Sequence, residues 1–395
     1  MSKLEELIQQ YCPDGVEYVP LSSIADLSRG KVISKDYIKD NGGDYPVYSS
    51  QSENEGILGR INSYMYDGKY LTWTTDGAYA GTIFRRSGKF NITNVCGLVK
   101  VNTPSVSLDF LYYWLYVEAP KYVYRGMGNP KLMSNVMGAI SVPVPPLPVQ
   151  EEIVRILDNF TELQAELQAE LQKRKLQYNY YLDNLLNFNR GGYQEEVRWM
   201  KMSEVFEIRN GYTPSKANKE FWEGGTIPWF RMEDIRQNGR ILSDSIVHIT
   251  PKGVKGKGLF KANSFILATT ATIGEHALII ADSLANQRFT NLSIRKSLEN
   301  ELSVKFVYYY LFVIDEWCKA NTNVSNFASV DMSKFYNLLI PIPSMGEQSR
   351  IVSILDRFDR ITNDITAGLP AEIEKRRQQY EYYRDKLLTF KRKAV

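Results

Sequence analysis

Gln150–Phe160 reads QEEIVRILDNF, and Gln348–Phe358, starting 198 residues later, reads QSRIVSILDRF, with seven of eleven positions identical. Each stretch follows a run of alternating prolines. "SVPVPPLPVQ" from Ser141 sets Pro143 and Pro145 opposite Pro341 and Pro343 of "LIPIPSMGEQ". Downstream, "KRKLQYNYYLDNLL" from Lys173 matches "KRRQQYEYYRDKLL" from Lys375 at nine of fourteen positions, now at an offset of 202. The second copy is longer by four residues in its middle, close to one helical turn, so the face that follows stays in phase.

The repeat reaches both ends of each half. Val16, Leu21, Ile24, Leu27 and Gly30 align with Val197, Met202, Val205, Ile208 and Gly211, while "SLDFLYYWLY" from Ser107 aligns with "SVKFVYYYLF" from Ser303. Between these borders the halves differ almost everywhere. The interiors are short runs of period-two alternation broken by Gly, Asn and Asp, which predict strands: "GDYPVYSS", "KYLTWTTDGAYAGTIFRR" and "NITNVCGLVKV", then "GTIPWFRMEDI", "NSFILATTATIGEHALII" and "NQRFTNLSI". The aromatic segments at Ser107 and Ser303 predict helices, so each half reads as a globular α+β domain.

After each proline run the period changes. Apolar residues at Ile156, Phe160, Leu163, Leu167 and Leu171, with Tyr178 and Leu185 beyond, give the 4, 3, 4 spacing of a heptad stripe. Ile354, Phe358, Ile361 and Ile365 repeat it, followed by Leu369, Ile373, Tyr380, Tyr383 and Leu387. "GLP" at Gly368–Pro370 predicts a kink or a restart, because proline lacks the helical donor and clashes one turn back. The expected division is globular 1–149, helical 150–189, globular 190–347 and helical 348–395. Two such stripes can bury each other. Antiparallel pairing is expected, since it sets the C-terminal end of the second span beside the N-terminal segment and gives both globular domains equivalent surroundings, an internal pseudo-two-fold repeat.

Composition narrows the function. No apolar run reaches eighteen residues, and "MSKLEELIQQ" lacks the apolar core of a signal peptide, so a cytoplasmic protein without membrane association is expected. Cys12, Cys96 and Cys318 are too far apart for a CxxC site and read as free buried thiols. His248 and His276 cannot supply three zinc ligands. "KGVKGKG" from Lys252 has no Walker serine or threonine, "NPKL" at Asn129 lacks the end of an amino-methyltransferase loop, and no G-x-S-x-G elbow occurs. No catalytic residue, metal site or cofactor of its own is expected.

A net charge of +3 does not establish nucleic-acid binding, so a polyanion site has to come from local arrangement. Lys252, Lys255, Lys257 and Lys261 in a glycine-rich turn, and Arg85, Arg86 and Lys89, are candidates for following a phosphate track. Ser50, Gln51 and Asn54 in "YSSQSEN", Tyr212, Thr213, Ser215 and Lys216 in "RNGYTPSK", and Thr74, Thr75, Tyr79, Arg231, Thr269 and Thr270 could present groups to base edges. A scaffold duplicated around divergent inserts suits one chain reading two short sequences. The competing reading is a coiled-coil DNA-binding regulator or scaffold, for which no compact helix-turn-helix is found.

The paired stretches "PVPPLPVQEEIVRILDNF" and "IPIPSMGEQSRIVSILDRF", with "QYNYYLDNLL" and "QYEYYRDKLL", resemble the conserved regions of type I restriction–modification specificity subunits, the HsdS family, and "LEELIQQYCPDGVEY" is similar to that family's start. The resemblance covers almost the whole chain. It implies two target recognition domains, separated by two long antiparallel helices forming a coiled coil, that read a bipartite asymmetric site on double-stranded DNA. It implies no catalysis by this chain. Two modification subunits that methylate adenine with S-adenosylmethionine would dock on it, joined by restriction/translocase subunits using ATP and Mg. Gln150, Ile153, Leu157, Phe160, Tyr178 and Tyr181, with Gln348, Ile351, Leu355, Phe358, Tyr380 and Tyr383, would then belong to the helices that join the halves and dock these partners. "GLP" of the second copy fits the family pattern, whereas "QAELQ" of the first departs from it.

Overall fold

The computed structural model describes residues 3–51, 53–126, 128–188, 197–323, 328–364 and 366–394. Ile365 of the second stripe lies outside them. The chain divides into two compact units, Met1–Gln168 with Ile373–Val395, and Ala169–Glu372.

In the first unit the sheet order is Ala25–Arg29, Cys96–Val101, Tyr66–Thr74, Ile83–Ile92, Gly42–Tyr48, Ile57–Ile61. The first three pairings are antiparallel, and Gly42–Tyr48 then lies parallel to Ile83–Ile92. In the second unit the order is Phe206–Asn210, Phe289–Ile294, Ser264–Ala268, His276–Ile279, Ile241–Leu242, again three antiparallel pairings followed by one parallel. The interiors, which do not align in sequence, therefore share the order of five strands; the first unit adds Ile57–Ile61 at the edge, and the second has a separate sheet of Ile227–Phe230 between His248–Ile249 and Leu284–Ala285. Pairing geometry asks only that apolar residues fall on the covered face, and Leu71 and Trp73 serve there in one unit as Phe265 and Leu267 do in the other. Gly30 and Gly211 mark a shared close approach: an added Cβ would lie 2.0 Å from the Ile92 carbonyl oxygen and 2.2 Å from that of Asn286.

Against each sheet packs an aromatic helix, Leu108–Glu118 or Val304–Ala320, started by a serine whose hydroxyl accepts an N–H: Ser107 from Phe110, Ser303 from Phe306. Phe110, Leu111 and Leu115 in one unit, and Phe306, Val307 and Leu311 in the other, enter the cores. The proline runs form small two-stranded ribbons with the domain openings, Ser141–Pro143 on Tyr18–Pro20 and Leu339–Ile342 on Arg198–Lys201. A two-stranded ribbon tolerates residues with no N–H to donate.

The repeated glutamine closes this arrangement. Gln150 Oε1 accepts the Ser107 N–H at 2.8 Å, while its Nε2 donates to the carbonyls of Ser105 (2.8 Å) and Pro145 (2.6 Å). Gln348 does the same with the Ser303 N–H (2.7 Å) and the carbonyls of Glu301 and Pro343 (both 2.8 Å). Both side chains are fully buried. One step along, Asp158 accepts from the Tyr113 hydroxyl (2.6 Å) and Asp356 from that of Tyr309 (2.5 Å). Burial and these carboxylate contacts push both phenols well above their ordinary range.

The first helical span is one helix, Leu147–Leu185, of 39 residues, about 58 Å at 1.5 Å per residue. The second restarts as expected: Met345–Asn363 ends at Asp364, and Leu369–Leu387 begins with Pro370 in its first turn. Asp364 Oδ1 holds the intervening turn by accepting from Thr366 (2.7 Å) and Ala367 (3.1 Å). In the first unit Phe160 stacks on Tyr383 at 5.5 Å, and in the second Tyr181 stacks on Phe358 at 4.9 Å. The C-terminal segment completes the first unit, with Val16 and Lys391 to Lys393 exchanging backbone hydrogen bonds and Phe390 edge-on to Phe110. Phe188 meets Phe306 equivalently in the second.

Candidate nucleic-acid interface

In the second unit, segments forty residues apart become one surface. The Tyr212 hydroxyl accepts the Lys255 N–H at 2.6 Å and donates to the Gly253 carbonyl at 3.2 Å. Arg209 donates to the carbonyls of Gly258 (2.8 Å) and Leu259 (3.3 Å) and lies over Phe260. "RNGYTPSK" thus carries the lysine-rich turn, whose Gly256 and Gly258 adopt positive φ. Lys255 and Lys257 are exposed, and no carboxylate pairs with either among the described residues. The other two lysines are engaged: Lys252 with Glu220 at 3.2 Å, and Lys261 with Asp282 at 2.8 Å. The Lys261 ammonium holds the Asp282 carboxyl below the usual range. Ser215 and Lys216 are exposed and Tyr212, Thr213, Arg231 and Thr270 half-buried, with Thr213 hydrogen-bonded to Gln287. Thr269 is buried against Thr290 at 2.9 Å and supports the sheet.

Trp222 and Trp229, given no binding role by the sequence, line a pocket in this unit. Their rings meet edge to face at 5.0 Å, with Lys216, Arg231 and Val247 around them. Trp229 lies on the Ile227–Phe230 strand within a core cluster and borders the pocket from the inside, while Trp222 is half-buried.

The first unit departs further from expectation. Arg85 is ion-paired with Asp109 and donates a hydrogen bond to Asp158, each at 3.0 Å, tying the sheet to two helices. Arg86 is buried, donates to Thr72 at 3.1 Å and stacks on Tyr48 at 3.6 Å, and burial pulls its pKa down. Thr74 and Thr75 are buried too, and Thr75 joins Arg29 and Asp76 in one hydrogen-bonded cluster. Arg86, Thr74 and Thr75 are inside, while Arg85, next to Arg86 and so on the other face of its strand, is half-buried against the helices. The groups left at the surface are Asn54, Tyr79 and Lys89, with Ser50 and Gln51 half-buried. Asn54 and Glu55 both have positive φ in the turn above Arg86, and Lys89 lies over Tyr64 at 4.6 Å.

The helical residues divide likewise. Gln150, Ile153, Leu157, Gln348, Ile351 and Leu355 are wholly buried and join each helix to its globular partner, so they cannot form a docking face as they stand. Tyr178 is buried, Phe160, Phe358 and Tyr380 are half-buried, and Tyr181 and Tyr383 are exposed.

A repeated α+β unit with buried glutamine clamps and divergent polar loops defines a class. The type I restriction modification DNA specificity domain family matches residues 13–174 and 194–375, and the chain belongs to that family. It is a type I restriction–modification specificity subunit, whose work is DNA sequence recognition. A putative type I specificity subunit of Mycoplasma pneumoniae is 33% identical over 93% of this chain and 96% of its own. The Escherichia coli EcoprrI specificity subunit is 53% identical over about half of each chain, 51% of this one and 52% of its own. The Escherichia coli EcoR124I/EcoR124II specificity subunit is 40% identical over 72% and 71%. Among solved structures, the S subunit from M. genitalium superposes with TM-score 0.56 at 16% identity, covering 94% of this chain and 95% of that one, a likeness of fold alone.

Proposed function

We propose that each globular domain, 1–149 and 190–347, reads one half of a bipartite asymmetric DNA site, and that the helical spans 150–189 and 348–395 pair antiparallel as a coiled coil that sets the spacer. The reading rests on one observation above all: the same sheet order recurs in both units beneath loops that share no sequence. The reciprocal stacks of Phe160 on Tyr383 and Tyr181 on Phe358 support the antiparallel pairing. Two adenine methyltransferase subunits dock on the exposed helical faces and supply S-adenosylmethionine chemistry, and restriction subunits that use ATP and Mg join them. This chain contributes no catalytic group, and the complex works in the cytoplasm.

Exchanging Gly15–Ser141 for the corresponding part of a relative tests the reading. Methylation mapping is expected to show one half-site changed and the other retained; both changed, or neither, rejects it. Phosphate contacts are tested separately. Lys255→Gln and Lys257→Gln should each weaken binding similarly on all sequences and lower the salt slope by about one. A slope unchanged in a salt titration of the assembled complex removes that lysine from the interface.

A further inference from the structure

We propose that the pocket walled by Trp222 and Trp229 receives a single nucleobase of the bound DNA, swung out of its stack, and that Arg231 reads the acceptor edge of that base. The inference deepens the DNA-recognition reading above and rests on it.

The pocket encloses about 310 Å³. Both indole N–H groups are already engaged, Trp222 with the Ser215 carbonyl and Trp229 with that of Tyr212, each at 3.0 Å. The rings are thereby fixed and offer hydrocarbon surface, not donors. The opposite wall is equally fixed. Buried Asp234 accepts the Arg231 N–H at 2.7 Å and the Ile246 N–H at 2.6 Å. Ser245 Oγ accepts the Trp229 N–H at 2.9 Å and donates to the Val247 carbonyl at 2.6 Å.

One group in this built site lacks a partner. Arg231 Nε is buried without a hydrogen bond, and the nearest carboxylate, that of Glu233, is 3.9 Å away. A buried donor with no acceptor is unfavourable and points to a ligand that brings one. At the rim, Lys216 and Lys219 are exposed, with Glu223 3.6 Å from Lys219. Lys216, Lys219 and Arg231 against Glu223 and Glu233 leave the rim net cationic, which disfavours a quaternary ammonium, and the indole floor does not suit a bare phosphate. A flat aromatic ring with acceptors on one edge and a phosphodiester beside it satisfies every wall. Guanine, whose O6 and N7 match the guanidinium fork, fits best. A base stacked in a duplex cannot lay a face on an indole of this pocket while its edge meets Arg231, so the base has to leave the stack.

The test uses the chain assembled with its modification subunits, on the site given by methylation mapping. Duplexes are made with each position of the second half-site unpaired in turn by a mismatch. At one purine position other than the methylated adenine, unpairing should tighten binding about tenfold or more, because no pair has to be broken before capture. Trp222→Ala should abolish that gain and leave first-half-site discrimination intact. Arg231→Met, which removes no ring from the pocket wall, should abolish it without lowering the melting temperature. A gain confined to the methylated adenine, or one that survives in both variants, overturns the proposal. So does Trp222-dependent quenching by dGMP alone without any mismatch effect, which would assign the pocket to a free nucleotide. Normal site-specific methylation with no gain defeats the pocket alone, whereas a complex that does not discriminate any sequence defeats the DNA-recognition reading and the pocket with it.

Discussion

Gln348→Ala is expected to destabilise its unit by about 3–5 kcal/mol. The substitution leaves the Ser303 N–H and the Glu301 and Pro343 carbonyls buried without partners, at roughly 1–3 kcal/mol for each unmet group. Gln150→Ala should behave alike in the other unit, where the same three kinds of partner surround a fully buried carboxamide. Urea denaturation followed by tryptophan fluorescence measures both. A loss under about 1 kcal/mol would mean that water replaces the carboxamide and the clamp is not structural. Gln348→Glu separates hydrogen bonding from volume: it keeps the acceptor but turns a carboxylate toward two carbonyls. Burial then raises the folded pKa above the unfolded value of about 4.3. The deficit should accordingly be full above that raised pKa and shrink as the pH falls toward 4.3.

Lengthening the first helix by one turn is expected to lengthen the spacer while keeping both half-sites. Four residues inserted after Ala165 move Tyr178 and Tyr181 away from Phe160 by about 6 Å along the axis, with a residual rotation of about 40°. That displacement is nearly two base pairs at about 3.4 Å each. Each stack can persist, because Phe160 and Tyr383 belong to one unit and Tyr181 and Phe358 to the other. The second span has a break between Asn363 and Leu369 at which to adjust. Two inserted residues instead turn the helix by about 200°, which sets the apolar stripe of the first span out of phase with that of the second and leaves little active complex. Methylation profiling with the modification subunit present compares the two variants. An unchanged spacer in an active four-residue variant rejects the helix as ruler and moves that role to the contacts between the helices and the globular domains.

The sequence by itself determined what depends on local chemistry. Heptad spacing and the alternating prolines located both helical spans, Gly368–Pro370 marked the restart, and period-two runs marked most strands of the two main sheets, because side-chain period and proline geometry act over a few residues. The duplication was legible for the same reason, since clamp residues such as Gln150 and Gln348 meet nearly identical surroundings. Tertiary structure decided the rest. Gln150 and Gln348 read as members of the helices that join the halves and dock partners, but their role as buried clamps was not legible, because the Ser107 and Ser303 N–H groups they accept lie more than forty positions away. Arg85 and Arg86 read as a basic patch, but whether a cation faces solvent depends on which carboxylate or ring the fold brings to it, here Asp158 and Tyr48. The shared sheet order was invisible because strand pairing constrains polarity pattern and not identity. The Trp222–Trp229 pocket was invisible because its walls come from a strand, Ile227–Phe230, and from turns that meet only once the unit has folded.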